Sequence, residues 1–148
     1  MGISRDRRGH PRSAHALRAI RRRVFVVDDD PAALGVLAEL AADLGWDAYG
    51  FTRLAAARRA LRQLRPQMMI VDDDLPDGRG GDFVRELRKG NGMADVSIIV
   101  CTAAQPLRRA EIGAWAPVLP KPIDLSEVEC LMRAAGRRAN GSRLNRAG

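Results

Sequence analysis

Two apolar runs, Val24–Val27 and Met68–Val71, each stop abruptly at three consecutive aspartates. Short continuous runs of Val, Ile, Met and Phe suit central strands covered on both faces. A strand of that kind tipped by carboxylates is either a decorated turn or part of a site. Two of them in one chain are either two such turns or two halves of one site, and the rest of the sequence decides between these readings.

Between and after the two runs, β-rich stretches alternate with helical patterns. Asp30 can cap a helix with Pro31 at its first position, where the missing N–H costs nothing. Leu34, Leu37, Ala41 and Leu44 recur on one face of that helix, and Gly45 stops it. Asp47–Phe51 reads as a weak edge strand. Thr52 is expected to cap a second helix showing Leu54, Ala57, Leu61 and Leu64, ended by Pro66. After Met68–Val71 comes the turn-rich LPDGRGG, then a helix over Asp82–Lys89 stopped by Gly90-Asn91-Gly92. Val96–Cys101 is another apolar strand, 106–113 a short helix, and Pro117–Leu119 a brief last strand. Asp124 caps a final helix expected to turn Leu125, Val128, Leu131 and Met132 inward. Five βα units in this order predict an α/β fold, with a doubly wound parallel sheet and helices on both faces.

Charge is unevenly placed. Residues 1–23 hold eight arginines and one acid, and the chain from Arg133 onward holds five arginines and no acid. The body, 24–132, is left with 12 basic and 17 acidic side chains. An acidic body with basic ends, and ends without aromatic stacking platforms, argues against nucleic-acid binding. Residues 1–23 therefore read as a disordered basic arm, 24–138 as the domain and 139–148 as a flexible basic tail. Tethering of the arm to nucleic acid or a membrane surface is the weaker alternative. His10 and His15 read as solvated arm residues. No apolar run is long enough to span a bilayer, and no export signal precedes the body. Cys101 and Cys130 read as small core residues of a reduced, cytoplasmic protein.

In an open parallel sheet, ligands bind beyond the carboxyl ends of the strands. The polar residues in that position are Asp28, Asp29, Asp72, Asp74, Thr102 and Lys121. Crowded carboxylates raise one another's pKa and favour a bound cation, and a hard oxygen-liking ion such as Mg²⁺ is the natural choice. Carboxylates, one Lys and one hydroxyl are also what a phosphoryl group requires around it. The two acidic tips thus read as one metal and phosphoryl site. Asp30 and Asp73 read as a helix cap and a turn residue, and Asp77-Gly78 as a turn.

VVDDDP, IVDDDLPDGRGG, IIVCTAA and LPKPID, in this order over about 24–138, resemble the signature segments of bacterial response-regulator receiver domains. The resemblance implies a flavodoxin-like (βα)₅ domain with strand order 2-1-3-4-5. It implies that Asp72 accepts the phosphoryl group. Asp28 and Asp29 would hold Mg²⁺ (Asp29 the more direct ligand), with Asp72 and the backbone carbonyl of Asp74. Thr102 would bond a phosphoryl oxygen, and Lys121, through a cis Lys-Pro bond, would pair with the phosphate. The implied partners are a histidine kinase or phosphotransfer protein and an unknown downstream protein. The implied role is that of a signalling receiver, not an enzyme beyond its own phosphotransfer and autodephosphorylation.

Two positions depart from the family pattern. Val118 stands where the last strand usually carries Tyr or Phe, and Val cannot make the aromatic's buried-to-exposed swing. Asp74 makes the Asp-x-Asp pattern of haloacid-dehalogenase-like phosphatases, with Asp72 as nucleophile and Asp74 as acid/base. The order of the motifs and the LPKPID segment argue against that enzyme. Trp115 reads either as packing or as an anchor for a partner.

Overall fold

Strand pairing follows the apolar runs. In the computed structural model, which describes residues 21–90 and 92–146, β1 (Arg22–Val27) lies between β2 (Trp46–Phe51) and β3 (Met68–Asp72). β6 (Ser97–Thr102) pairs with β3, and β7 (Val118–Pro120) closes the other edge. The order β2-β1-β3-β6-β7, all parallel, is the 2-1-3-4-5 arrangement expected from the sequence once a small hairpin is counted. That hairpin, β4 (Asp74–Leu75) with β5 (Gly78–Arg79), forms within LPDGRGG and was not anticipated.

Alternation along the strands sorts the core into two layers. Val24, Val26, Met68, Ile70 and Ile99 face α1 (Pro31–Asp43) and α5 (Leu125–Arg146). Phe25, Val27, Met69, Val71 and Val100 face α2 (Leu54–Ala60), α3 (Gly80–Lys89) and α4 (Pro106–Gly113). Each fully buried side chain of this size contributes about 1.5–3 kcal/mol relative to exposure, so β1 and β3, apolar on both faces, anchor both layers at once.

Helix ends show where local chemistry is decisive. Asp30 caps α1 as expected, its carboxylate accepting from Ala32 N–H at 3.0 Å. Leu44 and then Gly45, with φ of +81°, end that helix. Asp124 accepts from Ser126 N–H at 2.9 Å at the start of α5. Thr52 does not cap α2. The helix begins one residue later, and Asp77 of the hairpin reaches over to accept from Leu54 N–H and Ala55 N–H, both at 2.9 Å.

Other differences are local. α2 ends at Ala60 and not at Pro66, and α3 starts at Gly80, two residues before Asp82. Leu125, expected to face inward, is exposed at the first position of α5. Cys101 is buried as expected, but Cys130 is exposed on α5. Burial pushes the Cys101 thiol up to about 12. β1 takes in Arg22 and Arg23, and α5 continues as helix through 139–146 where the sequence suggests a tail. The arm residues 1–20, with His10 and His15, lie outside the described residues. Among the described residues, no helix is long and apolar enough to cross a membrane.

Candidate functional site

Strand register assembles the polar cluster. Val27 is level with Val71, so Asp28 emerges beside Asp72. Asp72 is level with Cys101, and Thr102 is level with Pro120, which brings Lys121 alongside. Oxygens of Asp28, Asp29 and Asp72 lie within 4.8 Å of one another, with Asp28 and Asp72 buried and Asp29 exposed. Lys121 Nζ is 2.9 Å from Asp72 Oδ2 and 3.9 Å from Asp28 Oδ2. The Lys121–Pro122 peptide is cis.

Backbone amides hold the carboxylates in place. Asp28 Oδ1 accepts from Asp30 N–H at 2.9 Å, and Asp72 Oδ1 accepts from Asp74 N–H at 3.1 Å. Thr102 is buried, and its Oγ1 accepts from Ala104 N–H at 2.9 Å, which leaves the hydroxyl proton free to donate. Gly80 packs so tightly under the loop that a Cβ there would overlap the Asp72 carbonyl oxygen.

Electrostatics follow from burial. Desolvation holds the Asp28 pKa above the ordinary carboxylate value, and Asp72 and Asp29 add to the rise against the Asp30 amide and Lys121. Desolvation also opposes the Lys121 charge, but the hydrogen bond to Asp72 and the charges of Asp72 and Asp28 prevail, and its pKa is raised. Three carboxylates facing one ammonium leave excess negative charge. A donor set of crowded, partly desolvated carboxylate oxygens suits a hard divalent cation.

The structure separates the remaining aspartates. Asp74 is exposed, and its carboxylate pairs with Arg79 across the hairpin at 3.0 Å. Asp73, expected to be a turn residue, is only 1% exposed. Its N–H donates to Cys101 O, continuing the ladder one step past Asp72, so its side chain points to the opposite face from Asp72. There Oδ1 accepts from Gly81 N–H at 2.9 Å and from Arg108 Nη2 at 3.1 Å. Arg108, on α4, also bonds Asp82 at 3.3 Å, and its pKa is raised by the bond to Asp73. Strand parity was the signal in the sequence for the burial of Asp73; nothing in the sequence identified Arg108 as its partner.

Val118 is half-buried against the α2–α4 layer. Trp115, at the end of α4, is 38% exposed, with the Lys89 ammonium 5.8 Å from its ring centre. It therefore neither sits in the core nor stands fully free.

Residues 24–132 match the family model described as response regulator receiver domain. The chain is 32% identical over 120 residues to the DNA-binding response regulator MtrA of Mycolicibacterium smegmatis, covering 80% of this chain and 52% of that protein. It is 31% identical over 116 residues to the DNA-binding transcriptional regulator NtrC of Azospirillum brasilense, covering 76% of this chain and 24% of that one. The chain thus spans about half of the first of these curated relatives and about a quarter of the second. Among solved structures, a response regulator receiver protein from Pseudomonas putida superposes with a TM-score of 0.70 at 28% identity, over 77% of this chain and 97% of that one. A CheY-like receiver domain from Methylobacillus flagellatus shares the fold, with a TM-score of 0.66 at 21% identity over 78% and 98% of the two chains. With the motifs, the sheet order and the family match in agreement, this chain belongs to the response regulator receiver domain family.

Proposed function

We propose that the chain receives a phosphoryl group on Asp72 from a phosphohistidine of a histidine kinase or phosphotransfer protein, and passes the signal on through a protein partner. The observation that carries this reading is the contact of Lys121 Nζ with Asp72 Oδ2 at 2.9 Å, inside the cluster of Asp28, Asp29 and Asp72. A carboxylate oxygen of Asp72 attacks phosphorus, the P–N bond to the imidazole breaks, and its electron pair returns to the ring nitrogen. Lys121 sits where it can follow the charge from the free carboxylate to the incoming phosphoryl oxygens. The Thr102 hydroxyl, whose proton is free to donate, would bond one of those oxygens. Asp28, Asp29, Asp72 and the backbone carbonyl of Asp74 would hold Mg²⁺, which when bound neutralises charge between the carboxylates and the phosphoryl donor.

The phosphatase alternative needs Asp74 as an acid/base. Its carboxylate is instead turned to Arg79 in the hairpin, which disfavours that role. The test is incubation with acetyl phosphate or a phosphorylated kinase, with and without Mg²⁺. Acid-labile acyl phosphate is expected in the native protein with Mg²⁺ only. An Asp72→Asn variant that still incorporated label would refute the assignment.

A further inference from the structure

The arginines that the sequence places in two distant segments meet at one end of the fold. Arg22 and Arg23 open β1, and Arg65 lies just before β3, all at the edge of the sheet opposite the aspartate cluster. α5 runs back to the same edge, carrying Arg133, Arg137, Arg138 and Arg143. Shared cavities show the convergence. Arg22, Arg133 and Arg137 line one of about 240 Å³, and Arg65, Arg138 and Arg143 line another of about 160 Å³ on the other side of the helix. The packing is specific. The Arg22 guanidinium lies 5.3 Å from the Trp46 ring centre and passes over Gly136, where a Cβ would collide with it.

The acids at this end are largely taken. Asp47 pairs with Arg21, Asp95 with Arg65 and Glu129 with Arg133. Asp43, at the end of α1, is a further carboxylate there, with no ion pair among the described residues. Arg22, Arg23, Arg137, Arg138 and Arg143 have no ion pair among the described residues, and the last three are exposed. Arg138 makes one neutral hydrogen bond, to Ser97 Oγ at 3.1 Å.

We propose that this arginine-rich end binds the phosphate backbone of duplex nucleic acid, without reading sequence. Guanidinium forks match phosphate oxygens in pairs. From Arg133 to Arg143 the helix rises about 15 Å, and a duplex carries one negative charge per about 1.7 Å of axis, so several phosphates come within reach together. Among the described residues, this surface offers no exposed aromatic for stacking single strands. Its one strongly exposed large apolar residue among those described is Leu144, too little to enter a lipid surface. The sequence argues against nucleic acid because it shows two separate basic ends around an acidic body. The fold joins the described parts of those ends, 21–23 and 133–146, and keeps the acidic cluster at the far side of the sheet, about 20 Å away along a six-residue strand. That exceeds the screening length of about 8 Å at physiological salt, so the two regions act independently.

The test is fluorescence anisotropy of a labelled DNA duplex titrated with the full chain between 50 and 200 mM salt. Binding that weakens linearly in log–log form is expected. A combined Arg137→Gln, Arg138→Gln, Arg143→Gln variant should lower the slope by about 2.7, from the loss of three phosphate contacts at about 0.9 each. The same variant should label with acetyl phosphate at the native rate, which shows that it is folded and separates this proposal from the acceptor assignment. No duplex binding at 50 mM salt, an unchanged slope in the variant, or tighter binding to anionic phospholipid vesicles than to duplex would each overturn it.

Discussion

Arg108 crosses from α4 to an ion pair with the buried Asp73, the residue next to the proposed acceptor Asp72, at 3.1 Å. The pair ties the loop after β3 to α4. Removing one partner strands a buried charge, which costs far more than removing both. Arg108→Ala is expected to destabilise the domain by about 3 kcal/mol in urea unfolding. A double Asp73→Leu, Arg108→Met variant should recover most of that loss. A double variant no more stable than Arg108→Ala would show that the pair is not what Asp73 needs.

Asp77 makes a pH-dependent contribution. The amides of Ala55 and Leu54 hold its pKa below the ordinary carboxylate value. A depressed folded-state pKa means the cap is fully present above the unfolded value and is lost as pH falls through the folded one. Asp77→Ala should cost about 1 kcal/mol near neutral pH, the usual value of a helix cap. The difference between the two proteins should shrink in acid. Thermal melts at pH 7 and pH 3 measure it, and an equal gap at both would remove the capping role.

The three aspartates after β1 should rank by position. Asp28 and Asp29 belong to the carboxylate cluster, whereas the Asp30 side chain is committed to Ala32 N–H. Mg²⁺ titration of the three single Ala variants should show the largest loss at Asp29, a smaller one at Asp28 and almost none at Asp30. Comparable losses at Asp28 and Asp30 would place the acid pair out of register.

Trp115 offers an optical test of output. Val118 provides no aromatic swing, so any response should pass through the loop after Thr102 and α4. In a Trp46→Phe background, leaving Trp115 as the single tryptophan, acetyl phosphate with Mg²⁺ should shift the emission. An unchanged spectrum at full phosphorylation would exclude this helix as the responding surface.

Long-range order was legible where it rests on runs of apolar residues. Val24–Val27, Met68–Val71 and Val96–Cys101 announce buried parallel strands, and parallel strands place their carboxyl ends, with Asp28, Asp72 and Thr102, along one edge. What was not legible depends on contacts between distant side chains. Thr52 looks like a cap because it stands in the right place, yet Asp77, distant in sequence, takes that role. Asp73 looks like a turn residue because its partner Arg108 is thirty-five positions away. Leu125 fits the helical stripe, but burial along that stripe begins only at Val128.

The run Asp72-Asp73-Asp74 is degenerate as chemistry, three identical side chains in a row. A slip of one residue along β6 would keep an aspartate at the strand tip, yet it would exchange the carboxylate facing Lys121 for the one facing Arg108. Arg108 removes that ambiguity. It accepts one of the three as a buried counter-ion on the α4 side, and alternation then delivers its neighbour to Lys121 on the other. A basic side chain that does not touch Asp72 thus helps to distinguish three otherwise equivalent acids, one facing Arg108 and its neighbour facing Lys121.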